Sequence, residues 1–122
     1  MDAIGIVVKE VKETIKFYGL FGIEFKELGD GHFEGVASNG VRLMLDSVEL
    51  MKKINPDWSY RCGSNIILCH KSEAAPDVDA VYNKVVEAGF EKVKEPWDAF
   101  WGQRYASVKD PDGNQVDIFA DL

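Results

Sequence analysis

The chain has 122 residues, 46% of them hydrophobic and 29% charged, and a net charge of −7. That is the length of one ordinary domain, and the composition excludes a disordered, collagen-like or low-complexity chain. No apolar run approaches the ~20 residues of a membrane span, and the acidic balance argues against nucleic acid or an anionic membrane as partner. The N-terminal segment has neither the basic region nor the cleavage site of a signal peptide. Cys62 and Cys69 are too few for a disulfide scaffold and wrongly spaced for a zinc pair. Cys69, inside an apolar run, is expected to be a buried thiol, and the protein is expected in the cytoplasm.

Residues 4–8 are a β-branched run that reads as a buried strand. A helix follows, with Val11, Ile15 and Tyr18 on one face and Gly19 and Gly22 at its end. Strands are expected over 22–27, 32–38 and 41–46, joined by turns at Gly29-Asp30-Gly31 and Asn39-Gly40. Residues 47–63 read as a linker with a short helical pattern (Val48, Met51, Ile54), followed by Pro56, Trp58 and Tyr60. A second buried strand is expected over 65–69 and a polar loop over 72–77. Next comes a helix whose stripe is Val78, Val81, Tyr82, Val85 and Val86, ending at Gly89. Strands over 90–94, 103–109 and 114–120 complete the chain. An aromatic loop spans 95–102, and Asp110-Pro111-Asp112-Gly113 makes a turn.

The order β-α-β-β-β thus occurs twice. Val11 and Val78 lie 67 residues apart, as do Gly22 and Gly89. The offset grows to 73 by Gly40 and Gly113, with the six extra residues near 97–102. For the first strand an offset of about 61 is expected, because the following loop is longer in the second half. Each half is too small for a core of its own, so the two are expected to form one domain, with module one over about 1–46 and module two over about 64–122.

This pattern resembles the vicinal oxygen chelate superfamily, which includes glyoxalase I, extradiol dioxygenases and the fosfomycin- and bleomycin-resistance proteins. The residues that carry the resemblance are Ile4-Gly-Ile-Val-Val8, Phe17-Tyr18 before Gly22-Ile-Glu-Phe25, Asp77-Val-Asp-Ala-Val-Tyr82 before Glu87-Ala-Gly89, and above all Trp101 to Asn114 leading into Val116-Asp-Ile-Phe119. It implies an α+β fold in which two tandem βαβββ modules form a partly closed, cup-shaped mixed sheet with helices outside, and it implies a homodimer. Family enzymes bind a metal through residues on the first and last strands of each module, usually His and Glu. Carried over, these positions fall on Ala3, Met44, Ser64 or Asn65, and Asp117. Only Asp117 is an ordinary ligand, so neither metal nor cofactor is expected. His32 and His70 fall on no ligand position and read as surface residues rather than ligands.

Alternation along strands puts Gln115, Asp117 and Phe119 on one face, with Val116 and Ile118 on the other. By the same rule Ala3, Gly5, Val7, Arg42, Met44 and Asp46 face inward, while Ile4, Ile6, Val8, Val41, Leu43 and Leu45 face the core. Trp97, Phe100 and Trp101 crowd the inserted segment, near Tyr105 and Phe119 in the repeat scheme. Such a cluster suits stacking on a flat ligand, and equally suits capping the core or a dimer contact. The leading expectation is a metal-free protein that sequesters an aromatic or antibiotic-like small molecule, as in the bleomycin-resistance branch. Its expected ligand-binding residues are Met44, Asn65, Trp97, Phe100, Trp101, Tyr105, Asp117 and Phe119. The alternatives are a glyoxalase-like lyase or dioxygenase with an atypical site around Asp117, the one catalytic candidate, and an interaction module with a filled cup.

Overall fold

The computed structural model describes residues 1–122. It divides into two compact units, residues 1–61 and 62–122. Each unit carries its own four-stranded mixed sheet, so the two modules are real and the strands make two open sheets rather than one. The fold class is α+β.

Unit one holds β1 (Ala3–Val8), α1 (Val11–Gly19), β2 (Phe25–Gly29), β3 (His32–Val36), β4 (Arg42–Ser47) and α2 (Val48–Ile54). Its sheet order is β1-β4-β3-β2, with β1 parallel to β4 and the rest antiparallel. Ile6, Val8, Leu43 and Leu45 are buried on one face, as alternation requires. Val41 lies outside β4 and is exposed, which corrects its expected place in the core. The β3–β4 connection is longer than a two-residue hairpin. Ala37 N–H donates to the Val41 carbonyl and Gly40, at φ +90°, supplies the left-handed residue that closes it. The supposed linker contains α2, started by Ser47, whose Oγ accepts from Leu50 N–H at 3.1 Å.

Unit two holds β5 (Ile67–Lys71), α3 (Ala75–Glu87), β6 (Glu91–Ala99), β7 (Gln103–Lys109) and β8 (Gln115–Asp121). Its order is β5-β8-β7-β6, the same topology as unit one. The α3 helix starts inside the expected loop, because Pro76 fits the first turn and the Asp77 carboxylate accepts from Ala74 N–H at 3.0 Å. It lies against β6, β7 and β8, burying Val78, Tyr82 and Val85 near Val116 and Ile118 on the covered face. Arg104 of β7 ties the helix to the sheet through a two-pronged bond to Asp79, 2.8 Å on each prong.

Two boundaries differ from expectation in ways that matter for the site. The expected strand 65–69 is 67–71, which leaves Ser64 and Asn65 ahead of β5, exposed. The expected aromatic loop is mostly strand. β6 runs on through Trp97, absorbing Glu95-Pro96 in a register shift, and only residues 100–102 are left at the hairpin tip. Proline is tolerated there because β6 is an edge strand and the residue sits at an irregularity.

Candidate functional site

The face of the unit-two sheet opposite α3 gathers most of the sequence-predicted site. The turn at 110–113 fixes its register. Asp110 accepts from the backbone N–H groups of Asp112 and Asn114, both at 2.9 Å, and from the Asn114 side chain at 3.0 Å. β7 and β8 then pair as mirror images about the turn: Lys109 with Gln115, Ser107 with Asp117, Tyr105 with Phe119. On the parallel side, Cys69 of β5 stands beside Asp117.

Asp117 is 6% exposed, and neutral donors fix its carboxylate. Ser107 Oγ–H donates to Oδ1 at 2.7 Å, Gln115 Nε2–H to the same oxygen at 2.8 Å, and Tyr105 O–H to Oδ2 at 2.8 Å. Three such bonds compensate the burial of a charge without a counter-ion. Burial, and then the bond to Asp117, push the Tyr105 phenol well above its ordinary range, so it stays a donor at any working pH. Cys69 is exposed rather than buried, a correction that follows from the shifted strand. Desolvation and then the Asp117 charge raise its pKa, so it is a poor nucleophile.

Four rings continue from Tyr105. Tyr105 stacks on Phe119 at 5.9 Å and meets Trp101 edge to face at 5.3 Å. Trp101 in turn meets Trp97 at 5.5 Å and Phe100 at 4.9 Å, both edge to face. Trp101 N–H donates to Gln103 Oε1 at 2.8 Å, and Lys94 Nζ lies 5.1 Å from the Trp97 ring centre. Phe100 is 91% exposed and Trp101 49%, so the outer end of the row is open to solvent rather than core.

Asn65 lies ahead of β5, and Met44 is on the unit-one sheet, paired with Glu34 and Gly5. Around Met44 the same sheet face is ionic. His32 Nδ1 lies 2.6 Å from Asp46 and its Nε2 2.9 Å from Glu34, while Arg42 joins Glu34 to Asp2. His32 is thus part-buried and paired with two carboxylates rather than a free surface residue. Its signal was available in the hairpin, since pairing about Asn39 sets His32 opposite Asp46 and Glu34 opposite Met44. The partners of Asp117 were legible in the same way, from the 110–113 turn.

A scan against family models matches residues 1–118 to the glyoxalase/bleomycin resistance protein/dioxygenase superfamily. The chain belongs to that superfamily. Among solved structures it is similar to a glyoxalase-related enzyme from Fulvimarina pelagi, with a TM-score of 0.85 and 20% identity over 99% of this chain and 87% of that one. It is also similar to hypothetical protein SA1046 from S. aureus, with a TM-score of 0.83 and 19% identity over 97% and 91% of the two chains. A glyoxalase/bleomycin resistance protein/dioxygenase family enzyme from Burkholderia phytofirmans PsJN gives 0.80 and 17% over 99% and 98%. No curated protein sequence matches significantly. At these identities the structural likenesses establish the fold.

The superfamily's metal positions can now be placed by register. Ala3 pairs with Arg42, whose repeat equivalent Gln115 pairs with Ile67. The equivalent of Ala3 is thus Ile67, at an offset of 64 instead of about 61, and not Ser64 or Asn65. The set becomes Ala3, Met44, Ile67 and Asp117. One carboxylate, already accepting three hydrogen bonds, does not make a metal site that needs about three ligands. His32 offers no substitute, because its two nitrogens point at separate carboxylates, and no three His, Cys, Asp or Glu side chains come together to hold an ion. The residues present do not fit the superfamily's metal.

Proposed function

We propose that this superfamily member binds and sequesters a planar, partly polar small molecule along the aromatic row of the unit-two sheet, without metal and without chemistry. The observation that carries this reading is the row Trp97, Phe100, Trp101, Tyr105 and Phe119 leading to the buried carboxylate of Asp117. A flat ring stacked at Trp101 has the apolar, quadrupolar surface it needs, and a donor or cationic group on it has Asp117 or the ring faces to meet. Residues 62–122 hold eleven acidic and six basic side chains, which adds a favourable field for a cationic ligand. As general base Asp117 is poorly placed, since its carboxylate is buried and already accepts from three donors, and the neighbouring Cys69 thiol is not activated. No helix is long and apolar enough to cross a membrane.

The test is a thermal-shift screen of planar heteroaromatic compounds, with bleomycin included, followed by titration of tryptophan fluorescence. A hit raises the unfolding midpoint by mass action, and its affinity falls in Trp101→Ala. Midpoints unmoved across the screen, or equal affinity in Trp97→Ala and Trp101→Ala, overturn the reading. Metal analysis after dialysis separates it from enzymatic alternatives: about one equivalent of nickel, zinc, iron or manganese would replace it with a lyase or dioxygenase. A homodimer belongs to the same proposal. The exposed Ile66 and Ile67 at the β5 edge support it, because such edges need covering. Sedimentation showing a monomer at high micromolar concentration would remove that part.

A further inference from the structure

We propose that His32 is an imidazolium at neutral pH and serves as a proton-held latch across one face of the unit-one sheet, released as pH rises. The geometry requires the charge. A neutral imidazole has one N–H donor and one acceptor nitrogen. Here both ring nitrogens face carboxylate oxygens, Asp46 at 2.6 Å and Glu34 at 2.9 Å, and carboxylates accept only. With one ring proton, one of these contacts becomes a lone pair against an anion. With two, both are charge-assisted bonds, and β3 is tied to β4 at the end that carries the Gly31 turn.

The surroundings agree. From β3 the facing group is Glu34, and from β4 they are Asp46 and Arg42. Asp2, ahead of β1, takes the other end of Arg42. β1 presents Ala3, Gly5 and Val7, which do not titrate, and Lys26 of β2 stands opposite Glu34. Beyond the turn, Asp30 lies 3.8 Å from Lys53 of α2. Asp2, Glu34 and Asp46 outnumber Arg42 three to one, so a second cation at His32 brings the connected set close to neutrality. The bond to Asp46, then that to Glu34, raise the His32 pKa. Burial lowers that of His70, so the two histidines of this chain titrate apart. A raised histidine pKa stabilises the fold fully at pH below the unfolded value, and the stabilisation is lost as pH rises through the folded one. The latch therefore opens on the alkaline side.

The experiment is ¹⁵N and ¹H NMR of the two imidazole rings between pH 5 and 10 in the whole chain, with His70→Gln to assign them. At pH 7 both His32 nitrogens are expected to be protonated, and His32 should titrate above His70. Asp46→Asn should lower its midpoint more than Glu34→Gln. Urea unfolding should show stability falling toward alkaline pH in the native chain and a flatter profile in His32→Gln. A His32 ring carrying one proton at pH 7, or a midpoint untouched by both carboxamide variants, overturns the proposal. The NMR readout on the native chain decides the matter even where a variant fails to fold.

Discussion

The two sheets share a topology and a register, yet their equivalent faces carry opposite chemistry. At an offset of 73, the pair His32 and Asp46 corresponds to Tyr105 and Phe119, and the pair Glu34 and Met44 to Ser107 and Asp117. In unit one the charged groups neutralise each other in a chain from Asp2 through Arg42, Glu34 and His32 to Asp46. In unit two the same positions form an aromatic row and a single carboxylate held by uncharged donors. A face whose charges are mutually satisfied offers little to a ligand. A face that ends in the exposed rings of Phe100 and Trp101 offers more apolar surface. The two units share a frame, because the buried face of each closes on apolar residues, and they differ on the opposite faces.

Several measurements would break or sharpen this contrast. The shared frame predicts equal costs in the core. Leu45 and its repeat equivalent Ile118 are both fully buried, so Leu45→Ala and Ile118→Ala should each cost about 2–5 kcal/mol in urea unfolding. A large disparity would deny that the two cores are equivalent. On the diverged faces, Asp117→Ala strips the acceptor from Tyr105, Ser107 and Gln115 and should cost about 1–3 kcal/mol. Met44→Ala, at the equivalent but half-buried position, should cost less, and a reversed order would mean that Asp117 is poorly satisfied.

Trp101→Ala should weaken a hit from the ligand screen by several-fold or more, since stacking adds about 0.5–1.5 kcal/mol beyond area burial, and should leave the unfolding midpoint near that of the native chain. Early unfolding would instead make the row part of the core. The smallest effect is expected at the helix clamp. Arg104→Lys loses the two-pronged bond to Asp79, and half-exposed pairs of this kind are worth at most about 1 kcal/mol. The same bond lowers the Asp79 pKa, so its stabilisation is present near neutrality and is lost as acid protonates Asp79. Urea unfolding over the acid range should show a smaller acid loss in Arg104→Lys.

The sequence by itself determined the repeat, the class of fold, the buried faces, and which residues lie opposite one another across the hairpins. Alternation assigns faces, and a turn such as Asp110 to Gly113 fixes antiparallel pairing locally, so Tyr105 beside Phe119 and Ser107 beside Asp117 were both within reach. Only the tertiary structure decided where β5 begins, that Cys69 rather than Asn65 stands beside the carboxylate, and that Ile67 rather than a polar residue occupies the repeat of Ala3. It also decided that β6 carries its strand past Pro96 to bring Trp97 opposite Tyr105. The reason is the same in each case. A parallel pair such as β5 with β8 has no turn to set its register, and a bulged edge strand follows its partner instead of its own propensity, so both are fixed by contacts far away in the chain.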